Sequence, residues 1–260
     1  MRIALGVEYD GSRFHGWQMQ QPGVRTVQAE LEKALSIVAD SPIRVQCAGR
    51  TDTGVHAVGQ VVHFDTDAQR PDRAWILGGN VNLPFDVNIS WAHPMPDDFS
   101  ARFSATGREY RYIISNRFTR SALMNRRAVW VHQPLDAERM HQAAQQLVGV
   151  HDFSSYRALG CQAKSPVREL RNISVTRKGE LLIIDVAANA FLHHMVRNIA
   201  GVLIAIGKGE RPTDWTREIL DYKDRTLGGV TAPPQGLYLT RVIYPDSYSV
   251  PEPAPLSLFA

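Results

Sequence analysis

Asp52 is the side chain in this sequence best placed to do chemistry. It lies in the stretch Cys47 to Gln60, CAGRTDTGVHAVGQ, a polar, glycine-punctuated turn between two apolar, strand-like runs. Gly49 and Gly54 bracket Arg50, Thr51, Asp52 and Thr53, and they permit positive φ where the chain must bend sharply. Arg50 stands two residues from Asp52, near enough along the chain to favour the ionised carboxylate. A lone carboxylate on such a turn can act as a nucleophile or a base. A Thr-Asp-Thr-Gly run is equally compatible with an Asx-turn in which the aspartate binds only its own backbone.

Three further stretches carry reactive or recognising groups. The first is NAFLHHMVRNIAGVLIAIG, read as one helix from Phe191 to Ile206 with a buried stripe of Phe191, Met195, Ile199, Val202 and Ile206. On that reading His193/Arg197 and His194/Asn198 are i,i+4 pairs, and polar groups at one end of an apolar helix indicate a cavity wall. Zinc is not expected at His193 and His194, because adjacent helical residues diverge by about 100° and no third ligand has a recognisable spacing. In the second, GREYRYII from Gly107 to Ile114, Tyr110 and Tyr112 share one strand face and Arg111 takes the other. Two tyrosines on a strand are also ordinary sheet packing. The third is GLYLTRV from Gly236 to Val242, whose Leu237 and Leu239 read as core.

The cations are lopsided, with 24 Arg against 5 Lys among 260 residues. Seven Arg (102, 108, 111, 117, 120, 126, 127) stand against the single acid Glu109 between Arg102 and Arg127, a local charge of +6 within a chain of net +3. Phe103, Tyr110, Tyr112 and Phe118 are interleaved with them, which suits a groove that neutralises phosphates and stacks bases; a solvated arginine-rich face is the plainer alternative. Cys47 and Cys161 form no CxxC pair, so neither a disulfide framework nor a cysteine-built metal site is expected. No run approaches the ~20 apolar residues of a membrane span, and Met1 and Arg2 lead directly into a strand pattern. The expectation is a cytoplasmic protein.

The elements that must position these groups follow from periodicity. Ile3 to Tyr9 alternates as a strand, Asp10 to Gly23 is a long loop, and Thr26 caps a helix from Val27 to Ala39. Strands are expected at Ile43 to Ala48, Val58 to Phe64 and Val87 to Ala92, with a helix at Asp72 to Gly79. That order, β-α-β-β-α-β, is the ferredoxin-like unit. It largely recurs: a strand at Glu109 to Ser115, a helix at Asp136 to Val148, strands at Leu170 to Arg177 and Leu181 to Ala187, the helix from Phe191, a short helix at Asp214 to Asp221 and a strand at Leu237 to Ile243. The expected architecture is α+β, with two ferredoxin-like (RRM-like) halves, 1–104 and 105–246, joined in one extended, mainly antiparallel sheet around a central cleft, and a tail over 247–260.

Taken together, GRTDTGVHA around Asp52, FSARFSA from Phe99 to Ala105, Tyr110-Arg111-Tyr112, HHMVRN from His193 to Asn198 and GLYL at Gly236 carry a resemblance. In order and spacing they closely resemble the tRNA pseudouridine synthase A family, from Tyr9-Asp10-Gly11 and Gly16-Trp17-Gln18 to Leu239. Ser165 and Tyr156 depart from the family's more usual Thr and Phe. The resemblance implies the pseudouridine synthase fold and an isomerase that converts uridine to pseudouridine at nucleotides 38, 39 and 40 of the tRNA anticodon stem-loop. It further implies a homodimer gripping tRNA, with no cofactor and no metal.

By that resemblance Asp52 is the nucleophile, Tyr110 stacks on the target base, Arg197 pairs with Asp52, and Leu237 forms part of an apolar wall. Arg50, Arg70, Phe99, Ser100, Ala101, Arg102, Phe103, Phe118, Gly160, Cys161, Gln162, Ala163 and Lys164 are the implied tRNA contacts. Two rival readings make different predictions. A non-catalytic RNA-binding module of the same β-α-β-β-α-β plan would not need Asp52. A nucleoside or glycoside hydrolase would place a second carboxylate about the scissile bond, and the sequence offers no convincing partner acid.

Overall fold

The computed structural model describes residues 1–254 and divides the chain into two compact units, Met1–Thr106 with Tyr238–Ala260, and Gly107–Leu237. Of the tail expected over 247–260, residues 255–260 lie outside the described residues.

Unit 1 begins with strand β1 (Arg2–Tyr9), a loop, and helix α1 (Val27–Ala39). The Thr26 hydroxyl caps α1 by accepting from Ala29 N at 3.4 Å, and Val27, Leu31, Ala34 and Leu35 bury the expected stripe. Two buried polar residues extend that stripe. Glu32 Oε1 accepts from Gln28 Nε2 at 2.9 Å and from Val45 N at 3.1 Å, while its Oε2 pairs with Arg44 at 3.0 Å. These bonds explain why strand β2 is only Gln46–Cys47 rather than Ile43 to Ala48. The N–H groups of Ile43 and Val45 are taken by Ser36 Oγ and Glu32 of α1, so they are not available to a strand ladder.

Strand β3 (His56–Asp65) pairs antiparallel with β1, from Arg2↔Asp65 to Tyr9↔Ala57. A π-helical turn, Ala74–Gly78, runs into helix α2 (Gly79–Asn82) and buries Trp75 edge-on to Phe64, ring centroids 5.1 Å apart. Strand β4 (Val87–Met95) then pairs with the free edge of β1. It runs on through Pro94, beyond the expected end at Ala92, because it is an edge strand on which a residue without an N–H is tolerated.

Unit 2 opens with β5 (Gly107–Asn116), whose end is paired in parallel by the three-residue β6 (Val129–Val131). Helix α3 (Ala137–Gln145) is capped by Asp136, whose Oδ1 accepts from Glu138 N and Arg139 N at 3.0 Å. It stops short of the expected Val148, and β7 (Gly149–Asp152) follows, paired with β8 (Val167–Lys178). Strand β9 (Leu181–Ala188) lies between β8 and β5, giving the antiparallel order β5-β9-β8-β7. Helices α4 (Met195–Gly207) and α5 (Trp215–Tyr222) complete the unit. The expected helix start at Phe191 is corrected by the backbone. His194 adopts left-handed φ 61°, which no α-helix interior accepts, so α4 begins at Met195.

The last strand, β10 (Leu237–Ile243), lies parallel to β3 in unit 1 at Tyr238↔His56 and Leu239↔Ala57. It shares with β2 the edge of β3 that β1 leaves open. Unit 1 thus has the strand order β4-β1-β3-β2 of a ferredoxin-like sheet. Residues after β10 pack back on this unit: Tyr248 meets Phe99 ring to ring at 5.2 Å, and Arg241 pairs with Glu252.

Candidate active site

In unit 1 the turn carrying Asp52 is held mainly by its neighbours' backbone and hydroxyl groups. Thr51 is buried, and its Oγ1 lies 2.8 Å from the Tyr9 hydroxyl. The buried Gln60 side chain donates from Nε2 to Gly49 O at 2.6 Å and reaches the Tyr9 hydroxyl at 3.4 Å. From the other side Trp17 N donates to Thr51 O at 3.0 Å, and Val55 N closes the turn on Asp52 O at 3.1 Å. The Gly11–Trp17 loop is itself fixed to the first turn of α1, since Val27 N donates to Gly16 O at 3.3 Å and Gln28 N to Trp17 O at 3.0 Å. These two N–H groups are among those a helix start leaves unpaired, so the loop and α1 satisfy each other.

The resulting surface leaves the Asp52 side chain half-exposed on a turn that both its flanks restrain. Nearby Cys47 is not a competing nucleophile, because burial pushes its thiol up to about 12 and keeps it protonated at neutral pH. Asp10 heads the supporting loop and is held well below the usual carboxylate range by hydrogen bonding from His56, which outweighs the opposing effect of burial. His56 stacks on Tyr238 with ring centroids 4.6 Å apart.

In unit 2 the two tyrosines of β5 separate in role. Tyr112 is fully buried and donates to Pro233 O at 2.8 Å, and burial raises its hydroxyl pKa far above the ordinary tyrosine value. Tyr110 stays half-exposed with its ring edge-on to Phe191, centroids 5.0 Å apart. On the opposite strand face Arg111 pairs with Asp185 at 2.7 Å. Arg197, in the first turn of α4, donates from Nε to Ala232 O at 2.8 Å, and Ala232 N donates back to Arg197 O at 3.1 Å. A buried network beneath it fixes the next residue. Asn198 donates to Tyr156 O at 2.7 Å, and its Oδ1 accepts from Thr231 Oγ1 at 2.6 Å and Arg225 Nη2 at 3.1 Å.

The helical i,i+4 spacing expected of His193 with Arg197 does not apply, because both histidines precede α4. Their rings lie 4.0 Å apart in the connecting turn. Leu237 is buried.

The residues expected to touch nucleic acid divide by exposure. Arg50, Arg70, Arg102, Phe103, Phe118, Gly160, Gln162 and Lys164 are exposed, and Ser100, Cys161 and Ala163 are half-exposed. Phe99 and Ala101 have fully buried side chains, Phe99 among the rings of His63, Tyr244 and Tyr248, so these two offer a partner no side-chain surface. What the segment presents is Arg102, stacked over the Phe103 ring at 5.1 Å. The run of seven arginines is likewise not one cationic stripe, since Arg111 and Arg117 are committed to Asp185 and Glu180. Sequence reasoning missed Arg225 and the anchoring roles of Gln60 and Asn198, whose partners lie at sequence separations of up to 51 residues.

Comparison with known proteins identifies the family. The chain is 61% identical over 251 residues to a tRNA pseudouridine synthase A of Nitrosococcus oceani, covering 96% of each chain. It is 58% identical over 252 residues to that of Pseudoalteromonas atlantica, covering 97% of this chain and 95% of the relative. An Escherichia coli relative of the same description is 56% identical over 258 residues, covering 99% and 95%. A family model described as tRNA pseudouridine synthase matches residues 6–104 and 143–245, stretches that contain Asp52 and Arg197. The chain belongs to the tRNA pseudouridine synthase family, isomerases that act on tRNA.

Proposed function

We propose that this enzyme converts uridine to pseudouridine at nucleotides 38, 39 and 40 of the tRNA anticodon stem-loop, with Asp52 as nucleophile. The observation that carries the assignment of Asp52 is its restraint: a half-exposed carboxylate on a turn tied down by Tyr9, Trp17 and Gln60. Such preorganisation serves a reacting group, whereas a surface Asx-turn gains nothing from it. The reaction breaks the N1–C1′ bond, turns the uracil, and joins C5 to the same C1′, with loss of the C5 proton and gain of one at the freed N1. Substrate and product are isomers, so the step consumes no oxidant or reductant.

A uridine inside a stem must leave its stack first, at a cost of a few kcal/mol. The half-exposed Tyr110 ring, braced by Phe191, offers an aromatic face that offsets part of this loss. Arg197 supplies positive charge held in fixed orientation by Ala232. Arg50, Arg70, Arg102, Phe103, Phe118 and the segment 160–164 are the proposed tRNA contacts. The working form is a homodimer, and the site of action is the cytoplasm, where tRNA is modified. Among the described residues no helix is long and apolar enough to cross a membrane.

The test is tritium release from tRNA labelled at uridine C5, with wild type and Asp52→Asn compared at matched tRNA binding. Release by wild type alone, with binding retained in the variant, is expected. Release by Asp52→Asn at the wild-type rate would remove Asp52 from the chemistry, and free uracil among the products would restore the hydrolase reading.

A further inference from the structure

Unit 2 contains a cavity of about 340 Å³ that meets the proposed tRNA-contact segment 160–164 at Gly160 and Cys161. Its lining includes Ser154, Arg157, Leu159, Lys223, Asp224 and Arg225, three cations against one acid. The acid is partly spent within its own turn, because Asp224 Oδ1 accepts from Thr226 N and Thr226 Oγ1, both at 2.8 Å. Lys223 closes α5 in a left-handed conformation, φ 50°, and Asp224 N is anchored to Ser155 Oγ at 2.9 Å. Arg225 is oriented by Asn198 and Thr231. Leu159 stands 79% exposed beside these charges.

The cavity is mechanically tied to the segment that bears Arg197. Ala158 N donates to His193 O at 2.9 Å, and Asn198 joins Tyr156 O to Arg225. A group seated in the cavity is thereby set at a fixed distance from the first turn of α4. Liquid water occupies about 30 Å³ per molecule, so the volume is several times that of a bare phosphate and is commensurate with one nucleotide. Arginine and lysine converging on one space, with an apolar edge alongside, match a phosphate with its attached sugar and base.

We propose that this cavity holds one nucleotide of the bound tRNA strand, with its phosphodiester on Arg157 and Lys223. The inference rests on tRNA being the substrate. It assigns Arg157 and Lys223 a binding role that the residue motifs do not reveal.

The test is the salt dependence of tRNA affinity for wild type, Arg157→Gln, Lys223→Asn and the double variant. Asparagine is chosen because it tolerates the left-handed backbone at position 223. Each lost phosphate contact lowers the log–log salt slope by about 0.7 for single-stranded nucleic acid, which is about fivefold in affinity at 0.1 M salt. The double variant is expected to lose about 1.4 from the slope, with KM raised and kcat at saturating tRNA little changed. Arg217→Gln, on the exposed side of α5 where Arg217 pairs with Asp221, should leave slope and activity at wild-type values.

Unaltered slopes in both single variants, with wild type binding tRNA normally, would overturn the subsite and leave the synthase reading intact. Failure of wild type to bind tRNA would overturn both. Uridine monophosphate that binds wild type but not the double variant, with unaltered tRNA slopes, would assign the cavity to free nucleotides and also overturn the proposal.

Discussion

Gly16→Ala should damage catalysis from a residue outside the proposed tRNA contacts. Gly16 has φ +85°, and a Cβ built there would lie 2.8 Å from Thr51 O, 3.1 Å from the Asp52 carbonyl carbon and 3.2 Å from Thr53 N. All three are backbone atoms of the Asp52 turn, so no flexible side chain can move aside. The left-handed conformation alone costs an alanine about 1–2 kcal/mol. Restoring an ordinary contact with Thr51 O requires a displacement of about 0.5 Å. Gly16 O is fixed to Val27 N of α1 and Trp17 N to Thr51 O, so this displacement falls largely on the turn itself. If a misplacement of 1 Å costs about a hundredfold in rate, half of it costs about tenfold. The assay is tritium release at saturating tRNA together with thermal unfolding. Expected are kcat down about tenfold, tRNA affinity unchanged, and Tm lower by roughly 2–8 °C for a loss of about 1–2 kcal/mol. Wild-type kcat together with wild-type Tm would refute the idea that the Gly16 contact sets the position of Asp52.

Two other perturbations follow from buried polar groups. His63 accepts from Ala101 N at 3.1 Å, and burial followed by repulsion from Arg2 lowers its pKa below the ordinary histidine value of 6.5, against a smaller opposing pull from Asp65. The folded state therefore prefers neutral His63, whose contribution to stability is complete above pH 6.5 and is lost as pH falls below it. Between pH 7.5 and 5.5 the Tm of wild type should drop more than that of His63→Gln, and parallel curves would remove His63 from the cause. Asn198→Ala takes the side-chain donor from Tyr156 O and one of the partners of Thr231 Oγ1 and of Arg225, at a site only 1% exposed, and should cost about 2–4 kcal/mol in urea unfolding. A loss under about 0.5 kcal/mol would show that water or a relaxed neighbour replaces the network.

Much of the scaffold is legible because its determinants are local. Helix α1 runs from Val27 to Ala39 as expected, since the Thr26 cap and the apolar period lie within one segment. What escapes a reading of the sequence has causes elsewhere in the chain. Strand β2 is shortened by Ser36 and Glu32 of the preceding helix. The short strands β6 and β7 exist through pairing with β5 and β8, and three or four residues are too few to show a period of two. In the site, Asp52 is visible because glycines flank it, while its restraints, Tyr9 and Gln60, are 42 and 51 residues from the partners they reach.

The start of α4 shows how such a distant cause shapes a site. An unbroken helical period from Phe191 places His193 and Arg197 on one side. The left-handed turn at His194 instead ends that periodicity and begins a new helix whose first turn bears Arg197 and Asn198. The segment from 230 to 233 then lies directly on this helix: a Cβ on Gly201 would meet Val230 O at 1.8 Å, Thr231 binds Asn198, and Ala232 exchanges two hydrogen bonds with Arg197. Only a glycine at 201 permits that approach, and only that approach brings Ala232 O within reach of the Arg197 guanidinium. The orientation of this charge is therefore set by a small residue four positions along the helix and by a strap about thirty residues further on, which is why a motif containing Arg197 identifies the residue but not its geometry.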